Sequence, residues 1–313
     1  MATDTVSKKA QSKLSLSPRD LMIVRLVGLL RFVRAIDLSY RLARPTLVSY
    51  YRRLLASLCG PEDSQGGFLY RFAEPSIRKG ERAWIYALSA KGAHTLAQEG
   101  THLPPYKLRQ LSYNYLRHSL QLTSFLCTAH FFVRTNPSYT LSREMLSYEL
   151  ARHPPTVTLQ PEEHTTPVAV VPDAFLCFER GGETFPVLFE IDRGTEFQHK
   201  FKKNLRNRIV FLRSGAYARY FQTPAVLVAY ATTGALPERE TRRLTMQQWT
   251  LEVIDEMITK EHRQGWRELF RFCSLPDTIY DQTTALFSEP VWHIPGLPDP
   301  VAFFDSPTPQ LQE

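Results

Sequence analysis

The first hundred residues carry a hydrophobic pattern that changes from helical to strand-like and back. Apolar residues recur at a helical period in three consecutive segments, and two short strand-like runs follow them. Ser17-Pro18 has the composition of a helix start, and a second helix start lies at Ser89. The predicted elements are helices over residues 17–32, 35–43 and 47–58, strands over 67–73 and 82–88, and a last helix from residue 89.

Three helices, two strands and a helix in this order resemble a winged-helix domain, in which the third helix enters the major groove of DNA and the hairpin lies along the backbone. Outward side chains of the third helix are then candidates for contacts with bases and phosphates. The candidates are Arg44, Thr46, Ser49, Arg52 and Arg53 at the third helix, and Arg71, Arg78, Lys79 and Arg82 on the hairpin. Many winged helices bind proteins and not DNA, so the local charge is needed to distinguish a DNA partner from a protein partner.

The positive charge of the chain is concentrated in its N-terminal part. The formal net charge is +7, and residues 1–100 hold 16 Lys and Arg against 8 Asp and Glu, whereas the rest holds 22 against 23. Basic side chains that neutralise phosphates release counterions and supply affinity for DNA of any sequence. The charge therefore favours double-stranded DNA as the partner of the N-terminal domain.

A change in composition marks a boundary between two domains. Residues 100–107 contain Pro104-Pro105, which disfavours helix. With 43 % apolar residues, the 313-residue chain can form a core on each side of this boundary. The expected organisation is a disordered N-terminus (1–14), a winged helix (15–100), a linker (101–111), a second domain (112–289) and a Pro-rich tail (290–313).

Acidic residues of the second domain lie on two consecutive strand-like runs. Asp173 lies within the first run, and Glu190 and Asp192 close the second. Residues two apart in a strand share a face, and a hairpin can bring Asp173 opposite them. Three carboxylates in one place require a cation, and oxygen ligands select Mg2+ or Mn2+, which activate water. Asp173 and Glu190 are therefore predicted metal ligands.

The region around these acids has a specific resemblance. From residue 112 to 231 the order is helix, irregular strand, strand, strand, helix, strand, which is the core order of the PD-(D/E)xK nuclease fold. Together with the winged helix, it resembles the replication-relaxation family of plasmids and integrative elements over residues 15–235. The residues that carry the resemblance are Leu116-Arg117-His118, Pro172-Asp173 and the segment EIDRGTE from Glu190 to Glu196, which includes Arg193 and Thr195.

The resemblance implies a fold class of α/β (α+β), with a winged helix followed by a divergent restriction-endonuclease-like domain. It also implies a role in plasmid replication, relaxation or mobilisation. An active PD-(D/E)xK site has a lysine two residues after the glutamate, where this chain has Asp192. Lys200 or Lys203 on the next helix is the candidate substitute, and without one the site binds metal or DNA and does not cut. His118, a lone helical histidine, is more often packed than catalytic.

The rest of the chain carries weaker signals. Residues 249–254 are compatible with an edge strand, residues 262–273 with an amphipathic helix, and the segment from residue 290 with a flexible or docking extension. The four cysteines form no zinc-ligand pattern. Neither a signal peptide nor an apolar run of membrane-spanning length is present, so we expect a cytoplasmic protein without a membrane partner.

Three functions are compatible with these patterns. The first is a DNA-binding protein of a mobile element, whose second domain is a Mg2+- or Mn2+-dependent nuclease or its inactive descendant. The second is a winged-helix transcriptional regulator, whose second domain mediates oligomerisation or partner binding. In this case the acids form salt bridges with Arg193 and with the basic helix after Glu196, which carries Lys200, Lys202, Lys203, Arg206 and Arg208. The third is an adaptor that recruits a replication, relaxase or transposition protein. A homodimer is compatible with each of these three functions.

Overall fold

A computed structural model of the chain describes residues 16–60, 66–73, 84–103, 112–158, 167–194, 196–276 and 279–305. The chain forms two compact units: unit 1 is Met1–Ala35 with Ser49–Tyr113, and unit 2 is Ile36–Val48 with Asn114–Glu313. Residues 36–48, which the sequence pattern places in the N-terminal domain, thus belong to unit 2. None of the described helices combines the length and apolar composition needed to cross a lipid bilayer.

The helices and the hairpin of the N-terminal region follow the predicted order. They are α1 (Pro18–Leu30), α2 (Ala35–Arg41), α3 (Val48–Leu58), β1 (Leu69–Ala73), β2 (Trp84–Leu88) and α4 (Ala90–Gln98). In unit 1, β1 and β2 pair antiparallel. The Ser17 hydroxyl accepts a hydrogen bond from the Asp20 amide (3.2 Å) and caps α1 as its sequence predicts. Buried side chains of α1, α3 and β2, such as Val27, Leu55 and Ile85, form the core.

The start of α4 depends on a serine and a glycine. The Ser89 hydroxyl accepts a hydrogen bond from the Gly92 amide (3.0 Å) and donates one to the Gly67 carbonyl (2.7 Å). A methyl group added at Gly92 would lie 2.2 Å from the carbonyl oxygen of Phe68. The close approach of this helix start to the backbone before β1 therefore requires glycine.

Gly92→Ala is expected to lower the free energy of unfolding by about 1–3 kcal/mol, because the added methyl group displaces backbone atoms. Gly265→Ala is the control, since nothing lies within 4 Å of its added methyl group and alanine has the higher helix propensity. Thermal unfolding followed by circular dichroism measures both variants. Equal melting temperatures for the two would contradict the tight packing at Gly92.

Unit 2 contains a five-stranded mixed sheet and a separate two-stranded pair. The strands are β3 (Tyr139–Leu146), β4 (Thr156–Val157), β5 (Val168–Ala169), β6 (Ala174–Arg180), β7 (Glu183–Asp192), β8 (Leu227–Thr232) and β9 (Phe270–Ser274). The sheet order is β3-β6-β7-β8-β9, and β4 pairs with β5. β3, β6 and β7 are antiparallel, whereas β7, β8 and β9 are parallel. Every residue of β8 is buried, which is typical of a strand covered on both faces.

Helices cover both faces of this sheet. They are α5 (Tyr113–Thr135), α6 (Ser147–Leu150), α7 (Gln198–Arg213), α8 (Ala216–Phe221), α9 (Glu238–Met257), α10 (Arg263–Arg267) and α11 (Ala285–Ser288). On one face, Leu188 packs in a core with apolar residues of α7 and α9. On the other, the ring of Phe189 stacks on Phe125 of α5 at 3.6 Å between centroids. Alternating residues of β7 thus serve two cores.

Buried polar contacts within unit 2 involve α2. The fully buried carboxylate of Asp37 accepts a hydrogen bond from the Tyr280 hydroxyl. Arg41 donates two hydrogen bonds to Glu144, at 3.3 and 3.0 Å. Glu144 lies on β3. Because these groups lose hydration on burial, their mutual contacts stabilise residues 36–48 within unit 2.

Two secondary-structure predictions for the C-terminal part are wrong. Residues 249–254, predicted as an edge strand, lie within α9, and residues 262–273, predicted as one helix, divide into α10 and β9. A short apolar run is compatible with both helix and strand, so the elements that pack against it determine which of the two it forms. Phe270 and Phe272 are completely buried in the strand that pairs with β8.

The described part of the tail packs within unit 2 and is not a flexible extension. Trp292 is completely buried, and its indole N–H donates a hydrogen bond to the Leu286 carbonyl (2.7 Å). Phe304 is also buried and contacts the rings of Phe178 and Phe185. The proline content disfavours regular structure in this segment but does not prevent aromatic side chains from packing.

Candidate functional site

Two of the predicted carboxylates lie next to the point where the β6–β7 pairing ends. The last pair of the antiparallel register is Ala174 with Phe189, so Asp173 and Glu190 are the residues that directly follow it on the two sides. One oxygen of Asp173 accepts a hydrogen bond from the Ile191 amide (2.8 Å) and lies 3.0 Å from Nε2 of His118. The hairpin and α5 thus bring His118 and the two acids together, as the sequence-based hypothesis requires of Asp173 and Glu190.

His118 lies in the field of two carboxylates. Burial lowers the pKa of its imidazole, but the hydrogen bond to Asp173 and the charges of Asp173 and Glu190 outweigh burial and raise the pKa above its ordinary value. The imidazole therefore keeps its proton to a higher pH than free histidine does. In its charged form it is a cation beside the two acids.

Glu190 forms a buried ion pair with Arg208 of α7. The side chains of Arg208 and Glu190 are only 7 % and 19 % exposed. Arg208 also donates a hydrogen bond to the hydroxyl of Tyr230 on β8. Burial raises the pKa of Glu190 to about 7 against the attraction of Arg208, and the charge of Asp173 adds to the rise. An arginine thus binds the carboxylate that is the predicted metal ligand.

Asp192 belongs to a second ion pair. Arg242 of α9 donates two hydrogen bonds to its carboxylate, from Nε to Oδ1 at 2.7 Å and from Nη2 to Oδ2 at 2.9 Å. The Gly194 amide donates a third, at 2.7 Å, and Arg242 also donates to the Glu196 carbonyl at 2.8 Å. This bidentate pair holds the turn after β7.

The candidate lysines do not join the acidic pair. Lys200 Nζ lies 3.8 Å from the carboxylate of Glu196, which also accepts a hydrogen bond from Asn204 (2.8 Å). Lys203 is exposed on α7. Among the described residues, no hydrogen bond or ion pair joins either lysine to Asp173 or Glu190. The cation that contacts Glu190 is instead an arginine.

The two remaining candidates lie in the turn after β7. Arg193 donates a hydrogen bond to the backbone carbonyl of Asn114 (2.7 Å), which links the turn to the first residues of α5. Thr195 lies outside the described residues. Arg193 therefore has a positioning role that its sequence context did not predict.

The placement of the acids does not fit the predicted cofactor. In the described ranges, no three His, Cys, Asp or Glu side chains are placed to share a metal ion. Asp173, Glu190 and Asp192 each have a histidine or arginine partner at their carboxylate. Mg2+ and Mn2+ need carboxylate oxygens as ligands, and an arginine does not give up its charge to vacate them. The residues as they stand therefore do not fit Mg2+ or Mn2+.

The predicted DNA contacts form a second group. Ser49, Arg52 and Arg53 are exposed on α3, on the side away from its buried residues. Arg44 and Thr46 are also exposed but belong to unit 2. The guanidinium of Arg71 lies 4.8 Å from the centroid of the Trp84 ring. The last three candidates, Arg78, Lys79 and Arg82, lie outside the described residues.

A family model described as replication-relaxation matches residues 40–226, which is more than half of the chain. The chain belongs to the replication-relaxation family. No curated protein and no solved structure matches it. Membership in the replication-relaxation family suggests a role in the replication or relaxation of mobile elements. The matched range contains Asp173, Glu190 and Arg208 and ends before Tyr230 and Arg242.

The sequence identified Arg208 only as one member of the basic helix and did not single out Arg242 at all. Arg208 shares the buried face of α7 with Leu205 and Leu212. A charged residue on an apolar helix face needs a buried partner, so this periodicity could have identified it. Arg242 offers no comparable signal, because its partner Asp192 lies 50 residues earlier. Only the docking of α9 beside β8 brings the two together.

Proposed function

We propose that this member of the replication-relaxation family is a DNA-binding protein that acts in the replication, relaxation or transfer of a mobile element. The N-terminal region that contains α1 to α4 and the β1–β2 hairpin is a winged helix that binds duplex DNA, and the sheet domain of unit 2 is nuclease-like but does not cut it. The observation that carries the second statement is the buried ion pair of Glu190 with Arg208.

The elements of unit 1 and the exposed side of α3 support DNA binding. Ser49, Arg52 and Arg53 have the i, i+3, i+4 spacing that puts side chains on one side of a helix. The opposite side buries Tyr51 and Leu55, so the polar side is available to a partner. Two arginines on such a face can contact phosphates or guanines, as recognition helices do.

The topology of unit 2 supports a nuclease-like origin. Its core order is α5, β3, β6, β7, α7, β8, with an antiparallel β3-β6-β7 meander followed by a parallel strand. This is the order of the PD-(D/E)xK core. Asp173 directly precedes β6 and Glu190 lies near the end of the adjacent strand β7, as the two acids of such a site do.

The ion pairs explain why this domain would have lost cleavage. Metal-dependent hydrolysis requires carboxylates that hold a cation and a group that stabilises the developing negative charge. Arg208 already neutralises Glu190, and removing it would leave a buried carboxylate beside Asp173. Asp192 stands in the place of the lysine and is bound by Arg242. We infer that these acids stabilise the fold through their ion pairs and do not bind a metal ion.

A nicking assay tests this proposal. The full-length protein with Mg2+ or Mn2+ is expected to leave supercoiled plasmid DNA intact, just as Asp173→Ala and Glu190→Ala do, because its acids are engaged by other side chains. A restriction endonuclease on the same plasmid is the positive control. Cleavage by the wild-type protein that both variants abolish would show that the site is an active nuclease.

The regulator hypothesis keeps one specific observation in its favour. It predicts salt bridges between the acids and the basic helix, and the pair of Glu190 with Arg208 on α7 is such a bridge. Deleting the gene separates the two functions. Loss of replication or transfer of the element supports the proposed role in replication, relaxation or transfer, whereas a change confined to transcript levels supports a transcriptional regulator.

A further inference from the structure

Unit 2 contains a cavity of about 570 Å³ on the side of α7 and α9 that faces α8 and α10. Its wall is formed by the C-terminal ends of the two long helices and by the two short helices. Apolar side chains line part of it, among them Tyr217, Met257, Ile258 and Trp266. A cavity of this volume is in the range that holds one small molecule.

The polar part of the cavity wall is basic. Arg213, Arg219 and His262 line it, and no Asp or Glu is among the described lining residues. In the described part of the chain, no carboxylate forms an ion pair with Arg213 or Arg219.

The neighbouring arginines of α10 differ from the two cavity arginines because they have an acidic partner. Arg263 and Arg267 both pair with Asp255, each at 3.3 Å. Asp255, near the end of α9, thus pairs with two arginines that do not line the cavity. The two cavity arginines keep their charge available for an anion.

We propose that this cavity binds a nucleoside monophosphate group, either as a free mononucleotide or as the phosphorylated end of a DNA strand. Arg213 and Arg219 bind the phosphate, because a guanidinium presents paired N–H donors that match phosphate oxygens. The base lies against the apolar and aromatic wall that includes Trp266 and Tyr217. This site is separate from α3 and does not depend on DNA binding by unit 1.

Isothermal titration calorimetry of the full-length protein tests the proposal. The probes are AMP, dTMP, inorganic phosphate, and a short single-stranded oligonucleotide with and without a 5′-phosphate. We expect saturable binding of the nucleotides, weaker binding of inorganic phosphate, and binding of the oligonucleotide only when it is phosphorylated. Comparing the free nucleotides with the phosphorylated oligonucleotide shows whether the bound nucleoside monophosphate group comes from a free nucleotide or from the end of a DNA strand.

Variants at the cavity locate the binding. Arg213→Gln and Arg219→Gln are each expected to weaken nucleotide binding by about tenfold or more, because each removes a charge-assisted hydrogen bond. Both residues are exposed, so the fold tolerates the substitutions. Lys260→Gln is the matched control, since Lys260 is exposed next to the lining residue Thr259 but does not line the cavity.

Three results would overturn the proposal. They are the absence of saturable nucleotide binding, equal affinity for nucleotide and inorganic phosphate, and equal loss of affinity in Lys260→Gln and the arginine variants. The second result would show an anion site in which the apolar wall takes no part. Duplex binding measured on the same variants shows independently whether unit 1 is active.

Discussion

Replacing Arg52 and Arg53 together with alanine is expected to weaken duplex binding of the full-length protein by about 1–3 kcal/mol for each base or phosphate interaction that is removed. Both side chains are exposed on α3, adjacent in the chain and on the side opposite its buried face. Their removal takes two positive charges from the proposed recognition helix. The affinity should also depend less steeply on salt, because fewer counterions are released on binding.

Fluorescence anisotropy with labelled DNA from the element, at several salt concentrations, measures this effect. Arg25→Ala is the control, because Arg25 is exposed on α1 in the same unit. The full-length chain is used because residues 36–48 belong to unit 2. A fragment that ends near residue 100 would lack the rest of unit 2, with which these residues pack. A double variant with unchanged affinity and salt dependence would remove α3 as the DNA-binding helix.

Arg208→Met is expected to lower the free energy of unfolding of unit 2 by about 3–5 kcal/mol at pH values above the Glu190 pKa of about 7, because there it leaves Glu190 as an uncompensated buried charge. The charge of Asp173 adds to this cost. The Tyr230 hydroxyl also loses a hydrogen-bond donor. The double variant Arg208→Met/Glu190→Leu should recover most of the loss, since neither charge is then buried.

The effect of Arg208→Met should depend on pH in a defined direction. Burial raises the pKa of Glu190 from 4.5 to about 7, so the folded protein binds more protons than the unfolded chain between these values. Stability therefore falls as the pH rises through this window and returns as the pH falls. Without Arg208 the ionised carboxylate is costlier, so stability should increase more steeply on acidification than in the wild type.

Urea unfolding of the variants across this pH range provides the measurement. Lys203→Met is the control, because Lys203 is exposed on the same helix and makes no ion pair with the acids of the described chain. Glu190→Gln should lose the part of the pH dependence that belongs to this carboxyl group. A small, pH-independent effect of Arg208→Met would show that the ion pair does not stabilise unit 2.

The proximity of Asp173 and Glu190 could be predicted from the sequence because a hairpin connects them. Two adjacent antiparallel strands joined by Gly181-Gly182 leave few registers, and the observed one ends at the pair of Ala174 with Phe189, directly beside the two acids. The prediction that Lys200 or Lys203 replaces the nuclease lysine had no comparable basis in a short connection along the chain. Helix spacing gives the face on which a lysine lies but not which strand that face meets.

The sequence by itself determined the local elements around the candidate sites: the three helices and hairpin of the N-terminal region, the buried strand β8, and the exposed arginines of α3. Each follows from a periodicity or a turn within one short segment. The tertiary structure alone decided which arginines neutralise the acids, namely Arg208 and Arg242 from 18 and 50 residues away, and that residues 36–48 belong to unit 2. Such partners depend on how helices dock on the sheet, because a buried charge takes whichever opposite charge the packing brings within reach.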